Sequence, residues 1–526
     1  MSATNLTTSP QLIKGSRAAQ QAAALPLYDT AMTRQIEHAA QAMLTPHALM
    51  QRAGLSTARL ALALAPNANT FWIACGPGNN GGDGLEAAMH LKLWGKSPVV
   101  TLCSRPDRAP PDAAMSYQRA RDAGVTFVDA PREEFDFCID ALLGIGNSST
   151  SPPREIEGQM AGWIALINAS RAPVLAVDLP TGLDADTGDA SALCVRASAT
   201  LSLVTLKPGL FTAHGRDASG DIWVDTLGAQ YDAVHAPAAR LAAAPDALAR
   251  THASHKGSFG DVLVIGGAAG MTGAALLAAT ASLHSGAGRV FAMLLDGNSI
   301  AVDMQHPELM FRPFDAPHLS DQLNTEFSHM TVVCGCGGGA AVRSPLAAIL
   351  ASNANAVLDA DALNAIAADS ALHALLSARA ARGLQTVLTP HPLEAARLLA
   401  TETQTIQQNR LKAAKTLAQR FSCIVVLKGS GTVIAAPGQT PVINPTGNAL
   451  LATAGTGDVL AGMVGARLGG LQSRHLDTVT NLAAAAFQAT CEAVYVHGLV
   501  ADNWPAQVVL TASRLAHAVH AAQRHR

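Results

Sequence analysis

Two spacings alternate along this chain. Short apolar runs that stop at glycine read as buried strands, and longer stretches with apolar residues three and four apart read as helices. Residues 25–66 read as two helices; Arg34, Ile36, Glu37 and Ala40 belong to the first, and Leu49 to Gly54 lie within the second. Phe71 to Cys75 is a strand stopped by Gly76-Pro77-Gly78, and the turn Asn79 to Gly84 then leads into helical residues Leu85 to Leu93. Phe137 to Leu143 runs into Gly144 to Thr150, and Val174 to Val177 into Asp178 to Asp184. Ala199 to Val204 and Asp221 to Val224 are further strands, with Lys207 to Leu210 turning the chain between them. Residues 229–253 carry no strong period, and beyond them the alternation restarts: strands at Asp261–Ile265, Val332–Cys336, Ala356–Leu358, Val387–Leu388 and Ile424–Leu427 each end in a polar or glycine-rich turn. Strand–turn–helix repeated in this way predicts two doubly wound α/β domains, each a parallel sheet covered by helices, with every polar turn at the same end of its strand.

The glycine-richest of these turns is Ala452-Thr453-Ala454-Gly455-Thr456-Gly457-Asp458, which runs straight into a helix. Leu460, Met463, Val464 and Leu468 recur at helical spacing and are expected to face inward. The first-turn N–H groups lack intrahelical partners and sit at the positive end of the helix dipole, so Gly455 and Gly457 open them to an anion. Asp458 is then out of place unless it binds a metal or moves a proton; its plainer role is a first-turn carboxylate stabilising the helix by about 1 kcal/mol. In the first half, Asn80, Asp140, Asp178 and Thr181 all stand at strand ends, and their oxygens form the ligand set of a hard cation. Each also suits a local turn hydrogen bond. The turn at 78–84 is not GxGxxG, so the usual dinucleotide fingerprint is absent.

Composition narrows the classes. With 526 residues the chain exceeds one ordinary core. A net charge of −3 with 14% charged residues gives no basic footprint for nucleic acid. No apolar run is long enough to span a bilayer, and residues 1–24 have the polar, small character of a flexible leader. The eight scattered cysteines read as free thiols of a reducing cytoplasm, and no second Cys/His pair accompanies Cys334 and Cys336.

Several motifs together carry a resemblance. Residues 25–228 resemble the YjeF N-terminal domain, the NAD(P)HX epimerase, through GNNGGDG (78–84), DALLGIG (140–146), DLPTGLDADTG (178–188) and LKPGL (206–210). After a linker at 229–251, residues 252–526 are similar to the ribokinase-like ADP-dependent NAD(P)HX dehydratase through HKGSFGDVLVIGG (255–267), TGAALLAATASLHSGAG (272–288), HPELM (306–310), DADALN (359–364), LTPHPLEAARLL (388–399), KGSGT (428–432) and GNALLATAGTGDVLAGM (447–463). The implied fold is a Rossmann-like α/β/α domain followed by a ribokinase-like α/β/α domain. The implied activity is repair: the first domain interconverts the R and S hydrates of NAD(P)H (NADHX and NADPHX), and the second dehydrates the S form with ADP, releasing AMP.

The resemblance also implies site residues. Asn79, Asn80, Gly81, Gly82, Asp83, Gly144, Ile145, Gly146, Asn147, Ser148, Ser149, Thr150 and Asp178 would hold the hydrate in the epimerase, and Asn80, Asp140 and Thr181 a potassium ion. In the dehydratase, Ala274, Gly337, His391 and Asp458 would contact the hydrate, while Lys428, Gly429, Ser430, Gly431, Thr432 and Gly457 take the nucleotide with Mg²⁺. Asp178 and Asp458 are the expected proton-moving groups. Lys207 reads equally as a phosphate contact or a solvated turn lysine. Ile145 stands where the family usually has a small polar residue and Cys336 where proline is frequent. A cytoplasmic homo-oligomer without nucleic-acid or membrane partners is expected. The rival reading is a small-molecule kinase fused to a non-catalytic interaction domain, which would have no use for Asn80, Asp140 and Asp178.

Overall fold

The computed structural model describes residues 9–14, 24–131, 134–147, 156–231, 234–246, 252–297, 301–471 and 479–524. The chain divides into two compact units, one of Met1–Gln20 and Pro26–Ala239, the other of Gln21–Leu25 and Arg240–Arg526.

In the first unit, strand residues alternate between two cores. Phe71, Ile73 and Cys75 point into one and Trp72 and Ala74 into the other, so the strand Thr70–Cys75 is sealed on both faces and reads as a continuous apolar run. The sheet order is Gln11–Lys14, Asp221–Asp225, Ala199–Leu203, Val174–Val177, Phe137–Ala141, Thr70–Cys75, Ser97–Leu102, Thr126–Phe127. All neighbours are parallel except the first pair. The chain winds outward one way from Thr70–Cys75, then returns to Phe137–Ala141 and winds the other way. The turns after these two neighbouring strands therefore diverge and leave a crevice at their carboxyl ends. Helices Ala48–Leu64 and Asn79–Leu93 cover one face and Gly158–Ala169 the other.

The second unit orders its strands Met310–Phe311, Arg289–Leu294, Asp261–Gly266, Met330–Cys334, Asn355–Leu358, Thr386–Leu388, Ile424–Leu427, parallel throughout, then adds the antiparallel Val433–Ala435 and Val442–Ile443. Its switch of direction falls between Asp261–Gly266 and Met330–Cys334. The helix Thr456–Gly469 packs against this region and against Thr272–His284. Leu460, Met463, Val464 and Leu468 are buried as expected, yet so is nearly every other residue of that helix. Two glycines explain the missing solvent face: a Cβ at Gly462 would lie 2.0 Å from Ala278 O and one at Gly465 2.4 Å from Val333 Cγ2, so neighbours close in on all sides.

Two segments differ from the expected layout. Gln11–Lys14, inside the expected flexible leader, forms an antiparallel edge strand on Asp221–Asp225, because Ile13 gains a buried place there. Within the expected linker, Arg240 and Leu241 pair in parallel with Val442 and Ile443, and Leu241 is fully buried. An alternating pair with one apolar residue is too short a pattern to register as a strand. Among the described residues no helix is long and apolar enough to cross a membrane.

Candidate functional site

The crevice of the first unit is a cavity of about 760 Å³. Asn79, Asn80 and Asp83 reach it from the start of the helix Asn79–Leu93, Gly144, Ile145 and Gly146 from the turn after Phe137–Ala141, and Asp178 from the end of Val174–Val177. Glycine is required where the turns meet: a Cβ at Gly76 would sit 1.7 Å from Leu142 O, and one at Gly81 2.1 Å from Gly76 O. Gly81 and Gly82, expected to touch a ligand, instead lie behind the wall, with Gly82 packed where a Cβ would be 2.6 Å from Met50 Sδ. Gly144 does open the wall: a Cβ there would lie 3.1 Å from Asn80 Oδ1 and 3.2 Å from Asp178 Oδ2. Of the expected loop, Ser148, Ser149 and Thr150 lie outside the described residues, as does the side chain of Asn147.

Asp178 is the most constrained residue of this site. Its φ is 68°, a left-handed value that is strained for a side chain other than glycine, and Leu179 N donates to Val177 O (2.8 Å) across it. The conformation turns the carboxylate toward the cavity. Lys207 Nζ donates to Asp178 Oδ1, and so does Leu203 N at 3.2 Å. Lys207 is thus neither a solvated turn residue nor a free phosphate contact: it is fully buried, its remaining donors going to Leu203 O (2.7 Å) and Ser202 Oγ (3.2 Å). Sequence alone could not show this, since the buried oxygens that receive it come from the neighbouring strand Ala199–Leu203 and from Asp178.

Around this pair stand groups that favour the protonated form. Burial, then the charges of Glu37 and Asp178, push Asp83 well above the carboxylate range. Burial and Asp178 also raise Glu37. Glu37, Thr33 and Arg34 line the cavity from the helix Thr30–Ala42. They were legible only as polar positions of a helix whose distance from the sheet ends no spacing reveals.

Behind the cavity, Asp140 is fully buried and accepts from Thr181 Oγ1 (2.7 Å), Thr181 N (2.8 Å) and Leu142 N (3.2 Å). Burial lifts its carboxyl to about 6, the hydrogen bonds opposing, and no basic side chain pairs with it among the described residues. Asn80 Nδ2 is buried without a hydrogen-bond partner. Asp140 and Thr181 are joined directly, while Asn80 makes no hydrogen bond to either among the described residues. An uncompensated carboxylate and a hydroxyl oxygen, with the Asn80 Oδ1 carbonyl at the cavity wall beside Gly144, are the oxygen donors that fit a monovalent cation, whereas Asn80 Nδ2 is a hydrogen-bond donor and takes no part in that set.

The second unit gathers its groups at the matching strand ends. Asp359 ends the strand Asn355–Leu358 and accepts from Lys428 Nζ (2.6 Å) and Thr389 Oγ1 (2.8 Å). The following residue, Ala360, has φ 46°. A Cβ at Gly457 would lie 3.3 Å from Lys428 Nζ and 3.8 Å from Asp359 Oδ2, so the helix start carrying Asp458 abuts this pair. Asp458 makes no capping bond; the cap of its helix is Gly455, with φ 89°. Burial first, then the Asp359 charge, raises the Asp458 carboxyl to about 6, while the buried Cys336 thiol donates to it and pulls the other way. Cys336, Asp359 and Asp458 lie within 4.8 Å of one another by their reactive atoms. Asp359 was visible as a motif residue, but nothing in the sequence pointed it at Lys428.

The remaining expected contacts divide. Ala274 and Gly337 meet, a Cβ at Gly337 (φ 58°) lying 2.8 Å from Ala274 Cβ. His391 caps the helix Pro392–Leu399: its Nδ1 accepts from Leu393 N (3.1 Å) and Glu394 N (3.3 Å), and Glu394 Oε2 accepts from His391 N (2.8 Å). Both ring nitrogens are engaged, because Nε2 faces Glu394 Oε1 at 3.2 Å. Burial raises Glu394 to about 7. Gly429, Ser430, Gly431 and Thr432 form the turn after Ile424–Leu427, held from below by the buried Arg410, which donates to Leu427 O and Lys428 O, both at 3.1 Å. At Gly429 (φ 135°) a Cβ would lie 2.9 Å from the Arg410 guanidinium. Arg410 carried no sequence signal, being one of several arginines in an amphipathic helix.

Two family models match the chain, one described as NAD(P)H-hydrate dehydratase over residues 262–524 and one as YjeF-related protein N-terminus over residues 46–209. The chain is 34% identical over 470 residues to the bifunctional NAD(P)H-hydrate repair enzyme Nnr of Escherichia coli (strain K12), covering 87% of this chain and 85% of that protein. It is 35% identical over 493 residues to the bifunctional NAD(P)H-hydrate repair enzyme of Leishmania braziliensis, covering 86% and 84%. Among solved structures, the ADP/ATP-dependent NAD(P)H-hydrate dehydratase from Bacillus subtilis co-crystallised with ATP/Mg²⁺ is 28% identical over 52% of this chain and 93% of that one, with a TM-score of 0.41.

Proposed function

Because the chain belongs to the family of bifunctional NAD(P)H-hydrate repair enzymes, we propose that its two strand-end sites divide the repair between them, the first unit epimerising R- and S-NAD(P)HX and the second dehydrating the S form with ADP. The observation that carries this division is that each unit holds its own buried carboxylates at the crevice of its own sheet.

In the first unit, the hydrate lies in the cavity against Asn79, Asn80, Asp83 and the turn 144–146. Epimerisation reversibly loosens a bond at the hydrated carbon, so a proton must leave and return. Asp178, positioned by the ion pair with Lys207, is the general base, and Asp83 and Glu37, whose carboxyls burial raises, are placed to supply a proton. A potassium ion would be held by Asn80 Oδ1, Asp140 and Thr181 Oγ1, where it supplies the positive charge that Asp140 lacks.

In the second unit, dehydration must make the hydrate's hydroxyl a leaving group. Asp458, its carboxyl raised to about 6 and therefore mostly ionised at neutral pH, takes the hydroxyl proton. The hydroxyl oxygen then accepts a phosphoryl group from ADP, and AMP departs; loss of phosphate and a ring proton gives NAD(P)H. Lys428 and the turn 429–432 bind the nucleotide, and the amides of Gly455 to Gly457 stabilise the transferring charge. Magnesium, when bound, neutralises phosphate oxygens. Ala274, Gly337 and the His391 ring line the hydrate's side. A cytoplasmic homo-oligomer completes the proposal.

The test is the return of dihydronicotinamide absorbance from a mixed R/S NADHX sample with ADP, Mg²⁺ and K⁺. Recovery of nearly all the hydrate is expected. Recovery of the S fraction alone overturns the epimerase assignment, and no recovery with either ADP or ATP overturns the dehydratase assignment in favour of the kinase.

A further inference from the structure

We propose that the second unit carries a metal site of its own, in which the imidazoles of His284, His306 and His517 bind a zinc ion. The three come from separate parts of the fold: the last residue of the helix Thr272–His284, the segment before Met310–Phe311, and the helix Ala512–Arg524. One ring nitrogen from each lies within 4.8 Å of the others. The ring centroids of His284 and His517 are 5.1 Å apart, those of His306 and His517 4.8 Å.

A hydrogen bond fixes which nitrogen of His517 faces the cluster, and a nearby carboxylate favours the same choice for His306. Ser513 O can only accept, so the 2.6 Å contact with His517 Nδ1 makes Nδ1 the donor and leaves a lone pair on Nε2. Asp303 Oδ1 lies 3.5 Å from His306 Nδ1, and its negative charge favours the proton on that nitrogen over Nε2. The two Nε2 atoms nevertheless face each other at 2.9 Å. Two lone pairs at that distance repel, and only a cation or a shared proton between them resolves it. The third ring decides for the cation: His284 Nε2 is buried with no hydrogen-bond partner among the described residues, a cost that coordination removes. Nitrogens bound to one tetrahedral zinc sit roughly 3.3 Å apart, a few tenths of an ångström beyond the separation seen, and an Nδ1–H held by carbonyl or carboxylate is the usual outer support of a zinc histidine. A fourth position remains for water or for His520, whose ring centroid is 5.8 Å from that of His284 and whose Nδ1 donates to His517 O at 2.7 Å.

The ion would tie the C-terminal helix to Thr272–His284. That helix also supports the nucleotide turn, since a Cβ at Gly455 would lie 2.8 Å from Ala512 Cβ. The proposal is independent of the repair reading, and its test needs no substrate. The full-length chain, stripped with chelator and gel-filtered, is titrated with Zn²⁺ by calorimetry and with Co²⁺ by absorption. Stoichiometric zinc binding that raises Tm, with tetrahedral visible bands of cobalt and no sulfur-to-cobalt charge transfer, is expected. His517→Gln and His284→Gln should each weaken binding by at least tenfold while the stripped variants melt close to the stripped parent. A sulfur-to-cobalt band would place the ion at Cys336 and overturn the proposal, as would unchanged affinity in both variants. Absence of binding would also overturn it, leaving a proton shared between His306 and His517.

Discussion

Both units place an aspartate at a strand end and pair it with a lysine, but the lysines are used differently. In the first unit, Lys207 is sealed from solvent and its partner Asp178 is itself the proposed base. In the second, Lys428 keeps about a fifth of its side chain exposed and pairs with Asp359, while the proposed base Asp458 makes no ion pair among the described residues and is lifted to about 6 by burial, the nearby Lys428 charge opposing. A carboxylate gripped by a fully buried lysine keeps its position, which suits a step that runs both ways. One that titrates near neutrality can take a proton and give it up, which suits a step driven by phosphoryl transfer. The same pair of residue types thus serves as the reacting group in one site and as the neighbour that tunes it in the other.

The largest expected effect separates the two halves cleanly. Asp458→Asn should lower dehydration by about 10²–10⁴-fold, with epimerisation, followed by chromatography of the epimers, unchanged. Asp178→Asn should do the reverse. Equal damage to both activities by either variant would end the division of labour.

Next come the lysines. Lys207→Met leaves Asp178 buried without its charge partner and should cost about 3–5 kcal/mol of unfolding free energy. Lys428→Met, beside a partly open turn, should cost less stability and weaken ADP binding more; urea unfolding and the KM for ADP read the two. Comparable destabilisation by both would erase the contrast between sealed and open pairs.

A smaller effect probes the turn under the nucleotide. Gly429→Ala meets the Arg410 guanidinium at a positive φ and should cost about 1–3 kcal/mol, read as a raised KM for ADP with little change in epimerisation.

The smallest concerns pH. A base must be ionised, so dehydration should rise through an apparent pKa of about 6, set by Asp458, as pH increases. The Cys336 thiol donates to the ionised carboxylate and lowers that value; Cys336→Ala should therefore move the rising limb to higher pH. A shift to lower pH, or none, would show that the thiol does not act on Asp458.

The parallel α/β order of both units was legible, because strands such as Thr70–Cys75 are sealed on both faces and must be apolar throughout. So was the placing of Asp178, Asn80 and Gly144 in one crevice, since strand ends converge in such sheets. What escaped were partners set by tertiary approach. Lys207 looks like any turn lysine until Ala199–Leu203 and Asp178 are folded around it, and Glu37 belongs to a helix that no local pattern ties to the sheet. Gly81 and Gly82 mislead for the opposite reason: a glycine needed for close packing has the same letter as one needed for a ligand. The edge strand Gln11–Lys14 was too short to show a period.

The helix Thr456–Gly469 has a consequence for motion. Its amides beyond the first turn are screened on all sides, so they should exchange with solvent deuterium only when the whole unit opens, whereas those of Thr453 and Ala454, on exposed chain, exchange readily. Asp458 sits where these two regimes meet. The carboxylate is anchored to the slowest-opening segment of its unit, while the exposed chain just ahead of it is held only by local turn hydrogen bonds such as Thr456 Oγ1 to Thr453 O, so substrate entry and release can proceed without loosening the group that performs the chemistry.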